Sequence, residues 1–177
     1  MLNDPRIILN SFGIQEGTTV ADLGVGYGHT AFALSEKVGD SGKVFAVDIQ
    51  KNLLERLAKD AAQKGLKNIE IIWGDIETQG GTKLREGSVD TVIVSNVLFQ
   101  VESKAGLVNE CARILKIGGR VLLIDWYESF GGLGPQPEAV VDEETARRVF
   151  ETGPFQFIKS LPAGDHHYAM AFERKLS

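Results

Sequence analysis

The sequence predicts an α/β fold, a doubly wound and mostly parallel sheet closed by a C-terminal antiparallel hairpin, seven strands in all. Three observations predict it. Five short β-branched or aliphatic runs recur at residues 18–23, 43–48, 69–75, 90–95 and 120–125. The stretches between them are long enough for crossover helices, which parallel neighbours require. Two closing runs, 155–161 and 167–173, are separated by a short connection with Pro162-Ala163-Gly164-Asp165, which suits a hairpin.

Taken in order, Asp4-Pro5-Arg6-Ile7-Ile8-Leu9 reads as a short opening helix, with Asp4 as its cap and Pro5 in its first turn. Residues 1–17 are expected to act as a lid. The first strand runs into Gly24, Gly26 and Gly28 and then a helix, and Gly39-Asp40-Ser41-Gly42 turns the chain into the second strand. Leu53, Leu54, Leu57, Ala58 and Ala61 make one helical apolar stripe, which Gly65 closes. A second stripe comprises Leu107, Val108, Cys111, Ile114 and Leu115, with Gly118-Gly119 leading into the fifth strand. Residues 126–142 hold a Gly/Pro-rich stretch, expected to lie on the acceptor side of the site, before a helix from about Asp142 to Phe150.

With 177 residues and 43% hydrophobic content the chain reads as one domain, 1–177, with enough apolar mass for a full core. The net charge of -5 disfavours nucleic acid as a partner. No run is apolar for long enough to span a membrane, and Met1-Leu2-Asn3-Asp4-Pro5 lacks the zones of a signal peptide, so a cytoplasmic protein is expected. Cys111 is the single cysteine, which removes cysteine-cluster metal chemistry, and no metal is expected.

The strongest local signal is Val20-Ala21-Asp22-Leu23-Gly24-Val25-Gly26-Tyr27-Gly28, an apolar strand passing through an acid into alternating glycines and a helix. Glycines let backbone N–H groups approach a ligand, and a helix amino end supplies partial positive charge. The site therefore suits an anionic or carboxylate-bearing ligand. A nicotinamide dinucleotide is the weaker reading, because G-x-G-x-x-G wants glycine or alanine where this chain has His29, and the third glycine comes one residue early. Asp48 and Asp75, like Asp22, close predicted strands at one edge of the sheet.

The stretch from Asp22 to Gly28 resembles motif I of the class I S-adenosylmethionine-dependent methyltransferases, (D/E)-x-G-x-G-x-G, in complete form. The resemblance implies a Rossmann-like fold and S-adenosylmethionine as cofactor, with S-adenosylhomocysteine as product. It implies that Asp48 accepts from the ribose hydroxyls and that Gly74-Asp75-Ile76 meets the adenine, flanked by Ile49 and Ile76. Tyr27 belongs to the motif I loop, and Ser95-Asn96, ending the fourth strand, passes the methionine part. Asp125-Trp126, Gly134-Pro135 and His167-Tyr168 resemble the small ubiquinone/menaquinone C-methyltransferase-like group.

Methyl transfer from a sulfonium is one displacement, in which the protein aligns donor and acceptor, excludes water and, where needed, removes a proton. Candidates near that step are Asp125, at a strand end, and His29, after the glycine loop. Trp126 and Tyr127 are candidate acceptor-pocket aromatics, with core packing the alternative. Arsenic chemistry would call for several thiols. Two readings stay open: transfer to a small-molecule acceptor, and a non-catalytic S-adenosylmethionine-binding module acting with a partner. A homodimer is compatible with both.

Overall fold

The computed structural model describes residues 4–132 and 134–176; the first three residues of the expected lid, and Leu133 of the expected acceptor-side loop, lie outside it. The described residues form strands β1 (Thr19–Leu23), β2 (Lys43–Asp48), β3 (Ile69–Trp73), β4 (Val89–Ser95), β5 (Leu115–Trp126), β6 (Phe155–Leu161) and β7 (His167–Arg174). They make one sheet in the order β3-β2-β1-β4-β5-β7-β6. The first five strands pair in parallel, while β7 runs antiparallel to both β5 and β6. The predicted seven-stranded arrangement is what forms.

Helices cover both faces, as the near-continuous burial of β1 and β4 requires. On one side α1 (Pro5–Phe12), α2 (His29–Val38) and α3 (Lys51–Gln63) pack Leu9, Leu34 and Leu57 against Val20, Val44 and Ile93. On the other, α4 (Lys104–Ile114) and α5 (Glu143–Glu151) pack Leu107, Cys111 and Phe150 against Val92, Val121 and Phe172. The α1 cap is as predicted: Asp4 Oδ1 accepts from the Arg6 N–H at 3.0 Å, and Pro5 opens the helix. Among the described residues no helix is long and apolar enough to cross a membrane.

Two boundaries differ from the sequence expectation. The second helical stripe ends at Ile114, because Leu115 pairs with Val89; the ladder then slips to Thr91 with Arg120, looping out residues 116–119 with Gly118 at φ +74°. Strand β3 stops at Trp73, so Asp75 sits in the loop beyond it. The start of the 126–142 stretch folds against Trp126, where a Cβ on Gly134 would come within 2.7 Å of the indole. The Gly-Pro pair is thereby explained by packing on an aromatic.

Candidate functional site

Strand order reverses between β1 and β4, and ligands of open α/β sheets bind outside the strand carboxyl ends at such a point. A cavity of about 650 Å³ opens there, lined among others by Asp22, Asp48, Asp75 and Asn96. Of the expected cofactor residues, Gly24, Gly26, Tyr27, Gly28, Ile49, Gly74, Ile76 and Ser95 line the same cavity. Every one of the twelve is therefore brought together. The sequence reading did not assign Leu53, Val97, Gln100 and Val101 to the site, though they also line it and lie within a few residues of the β2 and β4 ends.

The glycine loop is shaped by β2. The Gly24 and Val25 N–H groups both donate to the Val47 carbonyl, and the Gly26 N–H donates to Asp48 Oδ2 at 2.9 Å. The Gly28 N–H turns back to Val25. These N–H groups thus serve the loop and do not point at a ligand as expected; the glycines supply space and left-handed backbone instead, with φ +76°, +53° and +82° at Gly24, Gly26 and Gly28. What remains for an anion is the first turn of α2, whose N-cap Gly28 carries no capping side chain.

The carboxylates differ in their surroundings. Asp48 is buried and doubly held, its Oδ1 accepting from the Gln50 N–H at 2.9 Å. Asp75 accepts from the Glu77 N–H at 2.8 Å and the Thr78 hydroxyl at 2.7 Å, which fixes its loop. Asp22 is only 2% exposed, and its Oδ2 is buried with no partner among the described residues. Burial, reinforced by the Asp48 charge, pushes the Asp22 carboxyl up to about 7. A second buried oxygen without a partner is Asn96 Oδ1, on a residue held at φ +56°. Two orphaned acceptors in one cavity wall call for a donor, and a cation answers Asp22 best.

A second cavity of about 380 Å³ adjoins the first, sharing His29, Thr30, Ser95 and Asn96 as a common wall. Its far side is built from Pro5, Ile7 and Ile8 of α1, from Ile124, and from Pro162, Ala163 and His167. The opening helix therefore does border the site. The 126–142 stretch contributes no described residue to either cavity; the β6–β7 connection takes its place. That outcome follows from topology, because β7 runs antiparallel to β5 and so begins at the ligand edge of the sheet. Trp126 and Tyr127 are likewise absent from both linings.

His29 is on the shared wall, where a group touching both ligands must stand. Asp125 is not: it lines neither cavity, is fully buried, and accepts from the Leu98 and Trp126 N–H groups at 2.8 Å each. Burial raises its carboxyl to about 6 against the lowering effect of those N–H groups. The geometry corrects the expected proton acceptor into a clamp that ties the end of β4 to β5.

Comparison with known proteins gives a match to a family described as a methyltransferase domain over residues 14–166. The chain is similar to the demethylmenaquinone methyltransferase of Lactococcus lactis, 33% identical over 117 residues, covering 66% of this chain and 45% of that protein. It is also similar to the aklanonic acid methyltransferase of a Streptomyces species, 35% identical over 105 residues, covering 59% and 46%. It thus spans about half the length of these curated relatives. Among solved structures, a SAM-dependent methyltransferase from Aquifex aeolicus superposes with a TM-score of 0.90 at 26% identity, covering 98% of this chain and 90% of that one.

Proposed function

The chain belongs to the methyltransferase-domain family, as a class I member of the ubiquinone/menaquinone C-methyltransferase-like type, and on that premise we propose that it transfers a methyl group from S-adenosylmethionine to a small-molecule acceptor. The observation that carries the reading is the pair of orphaned oxygens, Asp22 Oδ2 and Asn96 Oδ1, in a cavity that also presents Asp48 and Asp75. Asp22 and Asn96 take the ammonium of the methionine part, and the first turn of α2 takes its carboxylate. Asp48 accepts from the ribose diol. Ile49, which is 62% exposed, and Ile76 flank the adenine beside Asp75.

Bound there, S-adenosylmethionine supplies a methyl carbon on a positively charged sulfur, open to displacement in one step. The residues of the shared wall do the aligning. Because that wall separates a polar cavity from a more apolar one, the acceptor enters from the α1 side. A ready cavity of about 380 Å³ beside the first favours catalysis over a non-catalytic binding module. The acidic charge and single thiol favour work in the cytoplasm, alone or as a homodimer.

Titration calorimetry with S-adenosylhomocysteine tests the donor site, with NADH as control. Since Asp22 titrates at about 7, its proton competes with the ligand ammonium. Affinity should fall below that pH by up to about tenfold per unit and level off above it, and Asp22→Asn should flatten the profile. The apo protein shows the converse. Its raised Asp22 gives stability that is full below about 3.8 and is lost progressively as pH rises from there through about 7. Preferential NADH binding, or a pH-independent affinity, would overturn the assignment.

The glycines separate fold from binding. A Cβ on Gly28 would lie 2.1 Å from Leu57 Cδ1, so Gly28→Ala should lower the melting temperature by several degrees. At Gly26 a Cβ meets nothing within 4 Å, so Gly26→Ala should keep the fold at a cost of about 1–2 kcal/mol while weakening S-adenosylhomocysteine about tenfold. Thermal melts with and without ligand check both. Equal loss of stability in the two variants would refute the distinction.

A further inference from the structure

We propose that His167 is the base that takes the proton from the acceptor, and that the acceptor is a small, largely apolar molecule bearing a weakly acidic hydroxyl, such as a phenol. This rests on the donor-site reading above. His167 lines the second cavity, which shares His29, Thr30, Ser95 and Asn96 with the donor site. It opens β7 and pairs with Trp126 of β5, whose indole lies 4.0 Å from the imidazole, centre to centre. The ring is therefore packed in place on a strand rather than carried on a loop tip.

Its hydrogen bonding sets the tautomer. Nδ1 lies 3.2 Å from the Asp165 carbonyl oxygen, and a carbonyl only accepts, so Nδ1 carries the hydrogen. Nε2 is left with a free lone pair. Half-burial, with His166 beside it, lowers the pKa of His167, which keeps the ring neutral near pH 7 and so free to take a proton. The other ionisable groups bordering the cavity are Asp4, which caps α1, and His29 on the shared wall; Glu128 is occupied by His166. Among the described residues no hydrogen bond fixes a tautomer for His29. The remaining walls, Pro5, Ile8, Ile124, Pro162 and Ala163, suit a ring or short apolar body.

The proton balance is simple. The acceptor O–H bond breaks toward His167 Nε2, the electron pair left on oxygen forms the new bond to the methyl carbon, and the carbon–sulfur pair stays on sulfur. With a phenol near pKa ~10 the neutral hydroxyl dominates at pH 7, so a positioned base accelerates the step by about 100-fold or more.

Two readouts test this, with 4-methylphenol and 4-nitrophenol as probes. In uniformly ¹⁵N-labelled protein, His167 should show the Nδ1–H tautomer at neutral pH. Its Nε2 resonance should move when 4-methylphenol is added to the S-adenosylhomocysteine complex. With S-adenosylmethionine, His167→Asn keeps a donor at the Nδ1 position and removes the base, and should lower kcat for 4-methylphenol about 100-fold. Loss with 4-nitrophenol, which ionises unaided, should be under about tenfold, and His29→Asn should not reproduce the difference. An Nε2–H tautomer, a His167 resonance unmoved by 4-methylphenol, or equal loss on both phenols would overturn the inference. Should the amides of residues 24–28 ignore S-adenosylhomocysteine, the donor-site reading fails instead; amides that respond while His167 stays silent refute this inference alone.

Discussion

Replacing Asp48 with alanine is expected to weaken S-adenosylhomocysteine binding by about 100-fold, the largest loss for any single side chain of the donor cavity. The carboxylate holds the Gly26 and Gln50 N–H groups, each at 2.9 Å, and in the proposed complex it also accepts from the ribose. Hydrogen bonds to a charged group contribute about 1.5–3 kcal/mol each, and 1.4 kcal/mol is tenfold in affinity. The variant loses ligand contacts and loosens Gly26 at once. Asp48→Asn, whose amide oxygen can still accept, should lose only about tenfold.

A second consequence separates this from general damage. Asp48 contributes to the raised pKa of Asp22, so removing its charge should move the pH midpoint of binding downward in the alanine variant. Folding need not suffer equally, because two lost hydrogen bonds are partly offset by relief of carboxylate repulsion. Calorimetry across pH, with thermal melts alongside, checks all three statements. A binding loss below about threefold, with the fold intact, would remove Asp48 from the site.

The donor site was legible because its signals are local in sequence. Asp22 is followed at once by the alternating glycines, and Asp48 and Asp75 each close or just follow a β-branched run. A parallel sheet must put all three strand ends on one edge. The second cavity was illegible for the opposite reason: Ile8 and His167 come from opposite ends of the chain and share a cavity only through the antiparallel pairing of β7 with β5. Asp125 shows the limit of strand-end reasoning. An acid at that place can face a ligand or a neighbouring loop, and residue pattern does not distinguish the two; the Leu98 and Trp126 N–H groups do. Leu115 was drawn into a helix by its apolar spacing, yet its backbone pairs with Val89, so a ladder overrode a periodicity.

Glu110→Ala is expected to give the largest loss of stability, about 2–5 kcal/mol, because buried donors of the 80–82 loop are left without an acceptor at about 1–3 kcal/mol each. The apolar stripe of Leu107, Val108, Cys111, Ile114 and Leu115 leaves Glu110 out, and nothing local in the sequence marks its partners in the 80–82 loop. In the structure Glu110 is fully buried and accepts five hydrogen bonds: from the Gly80 and Thr82 N–H groups at 2.8 and 3.2 Å, the Thr82 hydroxyl at 2.5 Å, and Arg113 Nε and Nη2 at 2.8 and 2.7 Å. Burial alone would raise its pKa; the donors outweigh that and hold it at about 2. Its folded pKa being depressed, the stability it supplies is present above the ordinary glutamate range and lost as pH falls from about 4.5 through 2.

The cost lies mainly with the loop. Arg113 and Gly80 retain contact with solvent, whereas the fully buried Thr82 loses the acceptor of both its N–H and its hydroxyl outright. Adding Arg113→Ala to Glu110→Ala should therefore recover little, in contrast to an isolated ion pair. The same loop carries Asp75, whose N–H donates to the Gly81 carbonyl at 3.0 Å. Slackening it should also weaken S-adenosylhomocysteine where the variant remains folded. Urea denaturation of the single and double variants, read with the acid limb of their stability profiles, checks the argument. Full recovery in the double variant would place the energy in the ion pair, and an unchanged acid limb in Glu110→Ala would deny Glu110 its role.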